Sequence, residues 1–373
     1  MSGWAPPGVS IAADLDGRPI KRFELVNDHR MSVAVLEYGA IIQAIRVPDR
    51  GGRIDNVALG LATVDEYVGD RSYFGAVVGR FANRIENGWF VLDGRRHQVT
   101  VNEPPSSVHG GASGFNRKVW NGTPFVTSEA AGVRMGYLSP AGEEGFPGNL
   151  EVEVGYELLR HENTIRFSYS ATTDAPTIVN LTNHSFLNLD GEGAGTILDH
   201  VVTIHSDGYL PLSSTMIPTG DVARVSSTPL DFRIPKTIGA RVKSTYPQIA
   251  LVGGYDHNFV VRRAESGLAH ALTMESAVSG RSVEVWTTEP AIDFYSGNYF
   301  DGSVIGVGGA PYERWAGVAI EPEHVSNSPN LPAFPSTTLR PGETYASLTE
   351  FRFGVVGSDG EFTVAETSGY DRG

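Results

Sequence analysis

Apolar and polar residues alternate strictly along residues 150–156, whereas helical periodicity is scarce throughout the chain. Successive side chains of a strand point to opposite faces, so this alternation predicts a half-buried strand. Residues 163–171 are predicted to pair with it. The chain has 44 glycines and 22 prolines, enough turn-forming residues for many short strands. These features together predict an all-β chain.

Other stretches support the same fold class. Residues 89–101 read as a hairpin, because Asp93-Gly94 is a preferred two-residue turn between strands. Residues 31–47 are apolar and β-branched around Gly39, which predicts two strands joined by a bend. Residues 64–70 are predicted to form a short helical turn. The architecture expected from these elements is a large antiparallel β-sandwich.

The chain shows neither an internal repeat nor a linker, so its 373 residues are expected to form a single domain. The core is expected to span roughly residues 22–354 of that domain, 1–373. Beyond Gly354 the sequence becomes polar and carries no motif. Monomer and homodimer both remain open.

Charge and composition exclude several classes of partner. The formal net charge is -14, and such a surface repels phosphate backbones, so no nucleic-acid partner is expected. No apolar run is long enough to cross a membrane, and the N-terminal residues do not resemble a signal peptide. Cysteine is absent, which excludes disulfides and thiolate metal sites and is typical of a cytoplasmic protein.

The most polar candidate for a site lies at residues 180–189, with the sequence NLTNHSFLNL. If this stretch is a regular strand, Asn180, Thr182 and His184 share one face. Hydrogen-bonding groups on one face suit a polyhydroxylated ligand. Histidine also has the unperturbed pKa closest to neutrality, which suits proton exchange. The alternative is a core histidine bonded to its neighbours.

Further candidates lie at turns rich in small residues. Small residues before Asn83 and Arg84 allow close approach of backbones, so both side chains can present donors to a ligand. Arg80 is instead expected to pair with a structural carboxylate. His109 precedes two glycines, which leave room beside its ring, although this pattern also suits a simple turn.

Two carboxylates stand at the ends of predicted strands. Asp256 follows two glycines and precedes an apolar strand, where it could accept two hydroxyl hydrogen bonds or cap its own turn. Glu321 ends the apolar run that begins at Val318. Burial there would raise the pKa of Glu321 towards a range useful for catalysis.

Seven motifs in this order resemble those of the aldose 1-epimerase (galactose mutarotase) family. They are GRFANRI at 79–85, VHGG at 108–111, GFPG at 145–148, NLTNHSFLNL at 180–189, GYDH at 254–257, FYSGN at 294–298 and PGETY at 341–345. The resemblance spans roughly residues 23–353. It implies a galactose mutarotase-like supersandwich of antiparallel strands, with the site in a cleft on its concave face.

The resemblance also implies an isomerase that interconverts the α- and β-anomers of a neutral aldose such as galactose or glucose. By this resemblance Glu321 is the base, His184 the acid, and His109 assists at the ring oxygen. Substrate hydroxyls would be held by Asn83, Arg84, Asp256 and Glu289. Ring opening and reclosure need one base and one acid, so neither a metal nor any other cofactor is expected.

This sequence departs from the family pattern at three places. The family often has Gln at the positions of Glu289 and Asp293, and a Pro-Asp pair where this chain has Ser326-Asn327. A changed side chain at Glu289 could change the sugar preference. None of the departures affects the acid–base pair.

Several alternatives are weaker. A hexose-phosphate epimerase on the same fold would need more Lys or Arg near the pocket than Arg84 alone. A non-catalytic carbohydrate-binding module could lose Glu321 or His184, yet both are present. A metal site at Glu321, Glu323 and His324 lacks a second histidine. Serine hydrolysis lacks a Gly-x-Ser-x-Gly motif.

Overall fold

Strands dominate the computed structural model, which describes residues 4–263, 267–356 and 362–363. In chain order the first strands are β1 Gly8–Leu15, β2 Arg18–Val26, β3 Ser32–Leu36, β4 Ile42–Pro48, β5 Ile54–Asn56, β6 Val77–Val78, β7 Arg84–Ile85, β8 Trp89–Leu92, β9 Arg95–Gln98, β10 Ser107–Val108, β11 Asn121–Val126, β12 Ala130–Ser139, β13 Leu150–Leu159 and β14 Thr164–Thr173. They are followed by β15 Thr177–Ile178, β16 Thr182–Asn183, β17 Phe186–Leu187, β18 Val201–Ile204, β19 Gly208–Tyr209, β20 Ala223–Arg224, β21 Lys236–Thr237, β22 Asp256–Val260, β23 Ala269–Glu275, β24 Arg281–Thr287, β25 Ala291–Tyr295, β26 Val318–Glu323, β27 Thr338–Leu339, β28 Tyr345–Val356 and β29 Phe362–Thr363.

Helices are short and lie between strands. The α-helices among the described residues are α1 Val64–Gly69 and α2 Pro247–Val252. Single 3₁₀ turns cover Glu86–Gly88, Phe115–Arg117, Glu143–Gly145, Ile238–Ala240 and Ser328–Asn330. Helix α1 is the helical turn predicted from the sequence. A reciprocal cap fixes its start, since Thr63 accepts from the backbone of Glu66 and Glu66 accepts from that of Thr63.

Three antiparallel sheets carry the fold. One contains β1 to β5 in chain order. The largest has the order β11-β12-β13-β14-β28-β24-β23-β18-β21, with β29 beside β28, and the third has the order β17-β26-β25-β22-β19-β20. Four two-stranded ladders pair β10 with β7, β15 with β27, β16 with β6 and β8 with β9. The predicted large antiparallel β-sandwich is therefore confirmed.

One apolar core joins the three sheets. It includes Val33 from the first sheet, Val154 and Phe351 from the largest, and Phe294 and Ile320 from the third, each at most 3 % exposed. Side chains from the inner faces of stacked sheets fill the space between them in this way. The third sheet thereby gains a rigid support, and its opposite surface is free to carry polar groups.

The local predictions along the chain are largely confirmed. The alternating stretch lies within β13, where Glu151 and Glu153 are exposed between buried neighbours, and it pairs with β14. The hairpin of β8 and β9 turns at Asp93 and Gly94, both with positive φ, as the preferred tight turn requires. Strands β3 and β4 flank the bend at Gly39.

The expected single strand over residues 180–189 is wrong. Its two strands, β16 and β17, pair with different partners: β16 with β6, and β17 with β26 of the third sheet. His184 lies between the two strands, where the chain passes from one ladder to the other. Asn180 consequently does not share a face with it, and instead donates to the carbonyl oxygens of Ala82 and His324.

Within the part of the chain that the structure describes, no helix is both long and apolar enough to span a membrane. Residues 1–3, 264–266, 357–361 and 364–373 lie outside the described residues. Two interpretations of the sequence concern these residues in part. One is that the N-terminal residues do not resemble a signal peptide, and the other is that the segment beyond Gly354 is polar and carries no motif.

Candidate active site

A cavity of about 200 Å³ opens beside the third sheet, and six of the seven predicted site residues line it. These six are Asn83, Arg84, His109, His184, Asp256 and Glu321. Pockets for drug-sized ligands occupy roughly 300–1,000 Å³, so this cavity suits one small ring rather than a chain of them. The structure thus brings together residues that are up to 238 positions apart, from Asn83 to Glu321.

Three neighbouring strands of the third sheet supply the acidic wall. Asp256 begins β22, Asp293 lies in β25, and Glu321 lies in β26. The antiparallel register places Asp293 directly opposite Glu321 and also opposite Asn258. Directly opposed side chains on one face of a sheet are close neighbours, so the register brings these carboxyls together.

His184 contacts the carboxyl of Glu321. The distance from His184 Nε2 to Glu321 Oε1 is 3.3 Å, and both side chains are at most 5 % exposed. The imidazole packs among the rings of Tyr73, His109 and Phe186, with centroid distances of 5.8, 5.3 and 4.8 Å. These contacts fix the orientation of the ring, as a proton-exchanging group requires.

Burial favours the uncharged forms of this pair. It lowers the pKa of His184 to about 4, away from the near-neutral value of an unperturbed histidine. Burial, followed by the carboxyls of Glu323, Asp293 and Asp256, raises the pKa of Glu321 well above its usual value. Burial therefore favours the neutral imidazole of His184 and the protonated carboxyl of Glu321, so a proton shared by the pair is held preferentially by Glu321.

His109 faces the same cavity from a glycine-rich loop. Its Nδ1 accepts a hydrogen bond of 3.2 Å from the backbone N–H of Asn83, which leaves Nε2 as the donor of the neutral ring. Burial, then the nearby His184 and Arg84, lowers the pKa of His109 well below its usual value. His109 is thus a neutral donor that suits contact with an oxygen atom.

Gly110 permits the close approach of this loop to the strand segment before Asn83. Its φ is +87°, and a Cβ atom there would lie 1.9 Å from the carbonyl oxygen of Gly79. We expect Gly110→Ala to lower the free energy of unfolding by about 2–4 kcal/mol and to reduce activity, because backbone would have to move. Denaturant unfolding measures the change.

Gly142→Ala is the matched control for this prediction. Gly142 has nearly the same φ, +86°, but nothing lies within 4 Å of the position that an added methyl group would take. The control should show only the backbone strain of about 1–2 kcal/mol. Equal losses of stability in the two variants would contradict a steric role for Gly110.

Asn83 reaches into the acidic wall. Its Nδ2 donates to Asp293 Oδ2 at 2.9 Å and to Glu323 Oε1 at 3.0 Å. Both amide protons are therefore used by protein carboxyls, and the Asn83 side-chain oxygen accepts from the backbone N–H of Arg84 at 2.9 Å. The structure places Asn83 at the cavity wall as a link between two acids.

Arg84 lies beside the cavity mouth and is held on two sides. Its Nη1 contacts Glu103 Oε1 at 2.6 Å, while its backbone N–H donates to Ser326 Oγ and its carbonyl accepts from the backbone N–H of Asn327. The departure Ser326-Asn327 therefore supports the backbone that presents Arg84. Sequence alone could not show this, because the two segments are far apart in the chain.

Asp256 is the remaining predicted carboxylate in the cavity. Burial raises its pKa to about 6, although the positive charge of Arg84 opposes the shift and the negative charge of Glu103 adds to it. At neutral pH Asp256 is the acid of this wall that ionises most readily. An ionised carboxylate facing a small cavity is a strong acceptor for hydroxyl groups.

Glu289 does not line the cavity. Its carboxylate contacts His324 Nδ1 at 2.6 Å and accepts a longer hydrogen bond of 3.4 Å from the Tyr345 hydroxyl. Arg80 has the structural role expected of it, but its partners are backbone carbonyl oxygens of residues 139, 140, 147 and 148 and the Ser139 hydroxyl rather than a carboxylate.

Sequence reasoning missed the aromatic part of the cavity. Rings from separate segments line it: Tyr73, Phe186, Tyr295, Tyr299 and Phe300. Asp293 stands out in the sequence only as a departure from the family. The expectation that no departure affects the acid–base pair is wrong, because Asp293 lies directly opposite Glu321 in the acidic wall. The signal for Asp293 and Tyr295 is their spacing of two in one strand, which places both side chains on the same face.

His109, His184 and Glu321 are the group best placed to approach a metal ion in the part of the chain described. Their potential ligand atoms spread over distances of up to 4.8 Å. Two of these atoms, His184 Nε2 and Glu321 Oε1, are 3.3 Å apart, in direct contact with each other. The arrangement as it stands is that of an acid–base site.

A small polar cavity on a β-sandwich, walled by aromatic rings, carboxyls and two imidazoles, defines the class as an acid–base enzyme for a small polyhydroxylated substrate. The family profile "Aldose 1-epimerase" matches residues 21–352. The chain belongs to the aldose 1-epimerase family and is an isomerase. The resemblance found from the motifs is confirmed.

Named relatives agree with this membership. Galactose mutarotase of Sus scrofa is 42% identical over 336 residues, which cover 90% of this chain and 94% of that protein. Aldose 1-epimerase of Escherichia coli (strain K12) is 36% identical over 340 residues, covering 91% and 96%. The structure of galactose 1-epimerase from Lactobacillus acidophilus NCFM superposes with a TM-score of 0.83 at 28% identity, covering 94% and 98%.

Proposed function

We propose that this protein is an aldose mutarotase that interconverts the α- and β-anomers of a neutral monosaccharide such as galactose or glucose. The observation that carries the proposal is the contact of 3.3 Å between His184 Nε2 and Glu321 Oε1 on the wall of a cavity that fits one sugar ring. Two adjacent groups that exchange protons are what opening a hemiacetal requires.

In the proposed reaction Glu321 and His184 move two protons in concert. The Glu321 carboxylate takes the proton of the anomeric hydroxyl, while protonated His184 gives its proton to the ring oxygen. The bond from the anomeric carbon to the ring oxygen breaks, and the anomeric C–O bond becomes a carbonyl. Rotation of the open aldehyde exposes its other face, and reclosure returns both protons.

The pair needs to hold one proton in every state of this cycle. Before opening, the proton lies on His184, and after opening it lies on Glu321, which is the distribution that burial favours in the free protein. Direct contact at 3.3 Å allows the proton to pass from Glu321 to His184. The reaction thus moves protons within one neutral pair and creates no net charge in the buried site.

The remaining cavity residues are proposed to orient the sugar. His109 would donate from Nε2 to the ring oxygen region, and Arg84 and Asp256 would bond hydroxyls. By the family resemblance, Asn83 is also proposed to hold a substrate hydroxyl at the cavity wall, although its amide protons are donated to Asp293 and Glu323. Glu289 stays a predicted substrate contact. Because its carboxylate contacts His324, we expect its effect on sugar binding to be indirect.

The net charge of the cavity supports a neutral substrate over a phosphorylated one. Carboxyls of Glu103, Asp256, Asp293 and Glu321 line it, against the cations of Arg71 and Arg84. A phosphate dianion would find only these two cations, and one of them, Arg84, is already ion-paired with Glu103. We also propose that the chain forms a single domain, which the shared apolar core supports. A cytoplasmic location is part of the same proposal, and the lack of cysteine supports it.

Polarimetry of freshly dissolved α-anomers tests the proposal. A panel of neutral aldoses, including galactose, glucose, arabinose and xylose, should show faster decay of rotation to the same equilibrium value when the protein is added. A sugar-binding module would leave the decay rate unchanged for every member of the panel.

We expect the activity to be unaffected by EDTA, since the acid–base pair acts without a metal. The check is turnover before and after extensive treatment with the chelator. Addition of Zn²⁺ or Ca²⁺ to the treated protein should not increase the rate. Loss of activity with EDTA that either ion restores would contradict the assignment of His109, His184 and Glu321 to acid–base roles.

A further inference from the structure

Four carboxyls meet on one surface of the third sheet. Beside the buried Glu321 they are the half-buried Asp256 and the buried Asp293 and Glu323. Glu321 and Glu323 are two residues apart in β26 and therefore share a face, while Asp293 is the cross-strand neighbour of Glu321. In the proposed reaction Glu321 exchanges a proton and Asp256 binds a hydroxyl, which leaves Asp293 and Glu323 without a role.

The side chains of Asn83 and Asn258 hold these two acids in place. Asn83 Nδ2 bridges Asp293 and Glu323, and Asn258 Nδ2 donates to the same Glu323 oxygen at 3.0 Å. The second oxygens, Asp293 Oδ1 and Glu323 Oε2, are buried without a hydrogen-bond partner among the described residues. The acids are thus fixed by donors on one side only, and no lysine or arginine forms an ion pair with either in the described chain.

We propose that Asp293 and Glu323 are positioning residues that keep the shared proton on the Glu321–His184 pair as the pH rises. Negative charge that develops on either acid makes loss of the proton from the pair more costly. The pair then retains the single proton that the reaction needs above neutrality. This inference rests on the proposed function, because it acts through that pair.

Of the other groups near the pair, Asp256 acts in the same direction, since its charge also raises the pKa of Glu321, but the rest do not. The other ionisable side chains that line the cavity with the pair are Arg71, Tyr73, Arg84, Glu103, His109, Asp256, Tyr295 and Tyr299. Arg84 opposes retention of the proton, but Glu103 contacts it at 2.6 Å. Burial lowers the pKa of His109 and raises the pKa of Tyr73 to about 12, so neither changes charge near neutrality.

The directions of the shifts agree with this arrangement. The charge of Glu323 is the largest contribution after burial to the raised pKa of Glu321, and Asp293 is the next. Burial, then Asp293, raises the pKa of Glu323 in turn, and burial, then Asp256, raises that of Asp293. Groups coupled in this way titrate as one cluster, so the cluster as a whole sets the alkaline limit of activity.

Glu323→Gln gives the sharpest test, because Glu323 does not line the cavity. The glutamine oxygen can still accept from Asn83 and Asn258, but the side chain can no longer carry charge. Catalysed turnover of galactose, after subtraction of the spontaneous rate, is measured from pH 5 to pH 10 for wild type and variant. In a plot of kcat against pH, we expect the alkaline limb, where kcat falls, to shift to lower pH by about one unit. KM at pH 6 should be unchanged.

Asp293→Asn should move the alkaline limb in the same direction, and its KM can also change because Asp293 borders the cavity. Glu350→Gln is the matched control. Glu350 is a buried acid in the largest sheet, ion-paired with Arg166 and Arg352 and absent from the cavity wall, so its loss should leave the limb in place. A limb that stays fixed in both site variants would overturn the inference.

A measurement on the wild-type protein covers the case in which a variant does not fold. Infrared difference spectra between pH 6 and pH 9 should show loss of protonated carboxyl absorption. No such band at pH 6 would also overturn the inference, since it would mean that the cluster holds no proton to lose. An inactive wild type in polarimetry would instead contradict the proposed function, so the two failures are distinguishable.

Discussion

Replacing Glu321 by Gln is expected to lower turnover by about 10²–10⁴-fold while the protein stays folded and still binds sugar. Glutamine has the shape of glutamate, and its amide can keep the contact with His184 Nε2. It cannot, however, accept the proton of the anomeric hydroxyl. The measurement is kcat by polarimetry, with sugar binding followed through the rise in melting temperature at saturating galactose.

The same substitution should not destabilise the protein at neutral or alkaline pH. The pKa of Glu321 is raised on folding, so its contribution to stability is present at low pH and is lost as pH rises through the folded pKa. Glutamine removes that loss. We therefore expect the melting temperature of Glu321→Gln at pH 8 to equal or exceed that of wild type.

Glu350→Gln serves as the control here too, with the opposite pattern. Burial opposes ionisation of Glu350, but hydrogen bonds from Arg352 and Arg166 outweigh it and lower its pKa. Its loss should lower the melting temperature at neutral pH and leave turnover per folded molecule unchanged. A Glu321→Gln protein that turns over at the wild-type rate would show that Glu321 is not the base.

His184→Asn is expected to reduce kcat more than His109→Asn does. His184 contacts the base at 3.3 Å and its ring is fixed by aromatic neighbours, so it can give a proton to the ring oxygen. Its loss should lower turnover by about 10²–10⁴-fold at every sugar concentration. His109 is a neutral donor held through Asn83, so its loss should mainly raise KM and lower kcat less.

Turnover, KM and melting temperature of both purified variants test this difference. A purely structural histidine would show itself as a lower melting temperature with normal turnover per folded molecule. Near-normal kcat in His184→Asn, or a larger kcat loss in His109→Asn, would move the role of the acid to another residue.

Much of the fold follows from local physics. The alternation within β13 and the Asp93-Gly94 turn are set by neighbouring residues, and the structure shows both. The segment at residues 180–189 is harder to predict, because its break at His184 depends on which distant strands pair with β16 and β17. Pairing partners of that kind are not encoded in a local period.

The site could be found from the sequence in part for the same reason. The motifs point to His184 and Glu321, and the fold brings both to one cavity. The importance of Asp293 appears only once the register places it opposite Glu321. Glu323 lies two residues from Glu321 in β26, but its contacts with Asn83 and Asn258 depend on distant segments. Residue type indicates the chemistry, and strand register decides which residues take part.

Magnetisation transfer between the anomeric protons of galactose at equilibrium tests the central claim most directly. It measures exchange between α- and β-anomers without any net reaction. The account predicts that wild-type protein increases the exchange rate in proportion to its concentration and that Glu321→Gln does not. An exchange rate that wild-type protein leaves at the spontaneous value, with galactose bound, would contradict it.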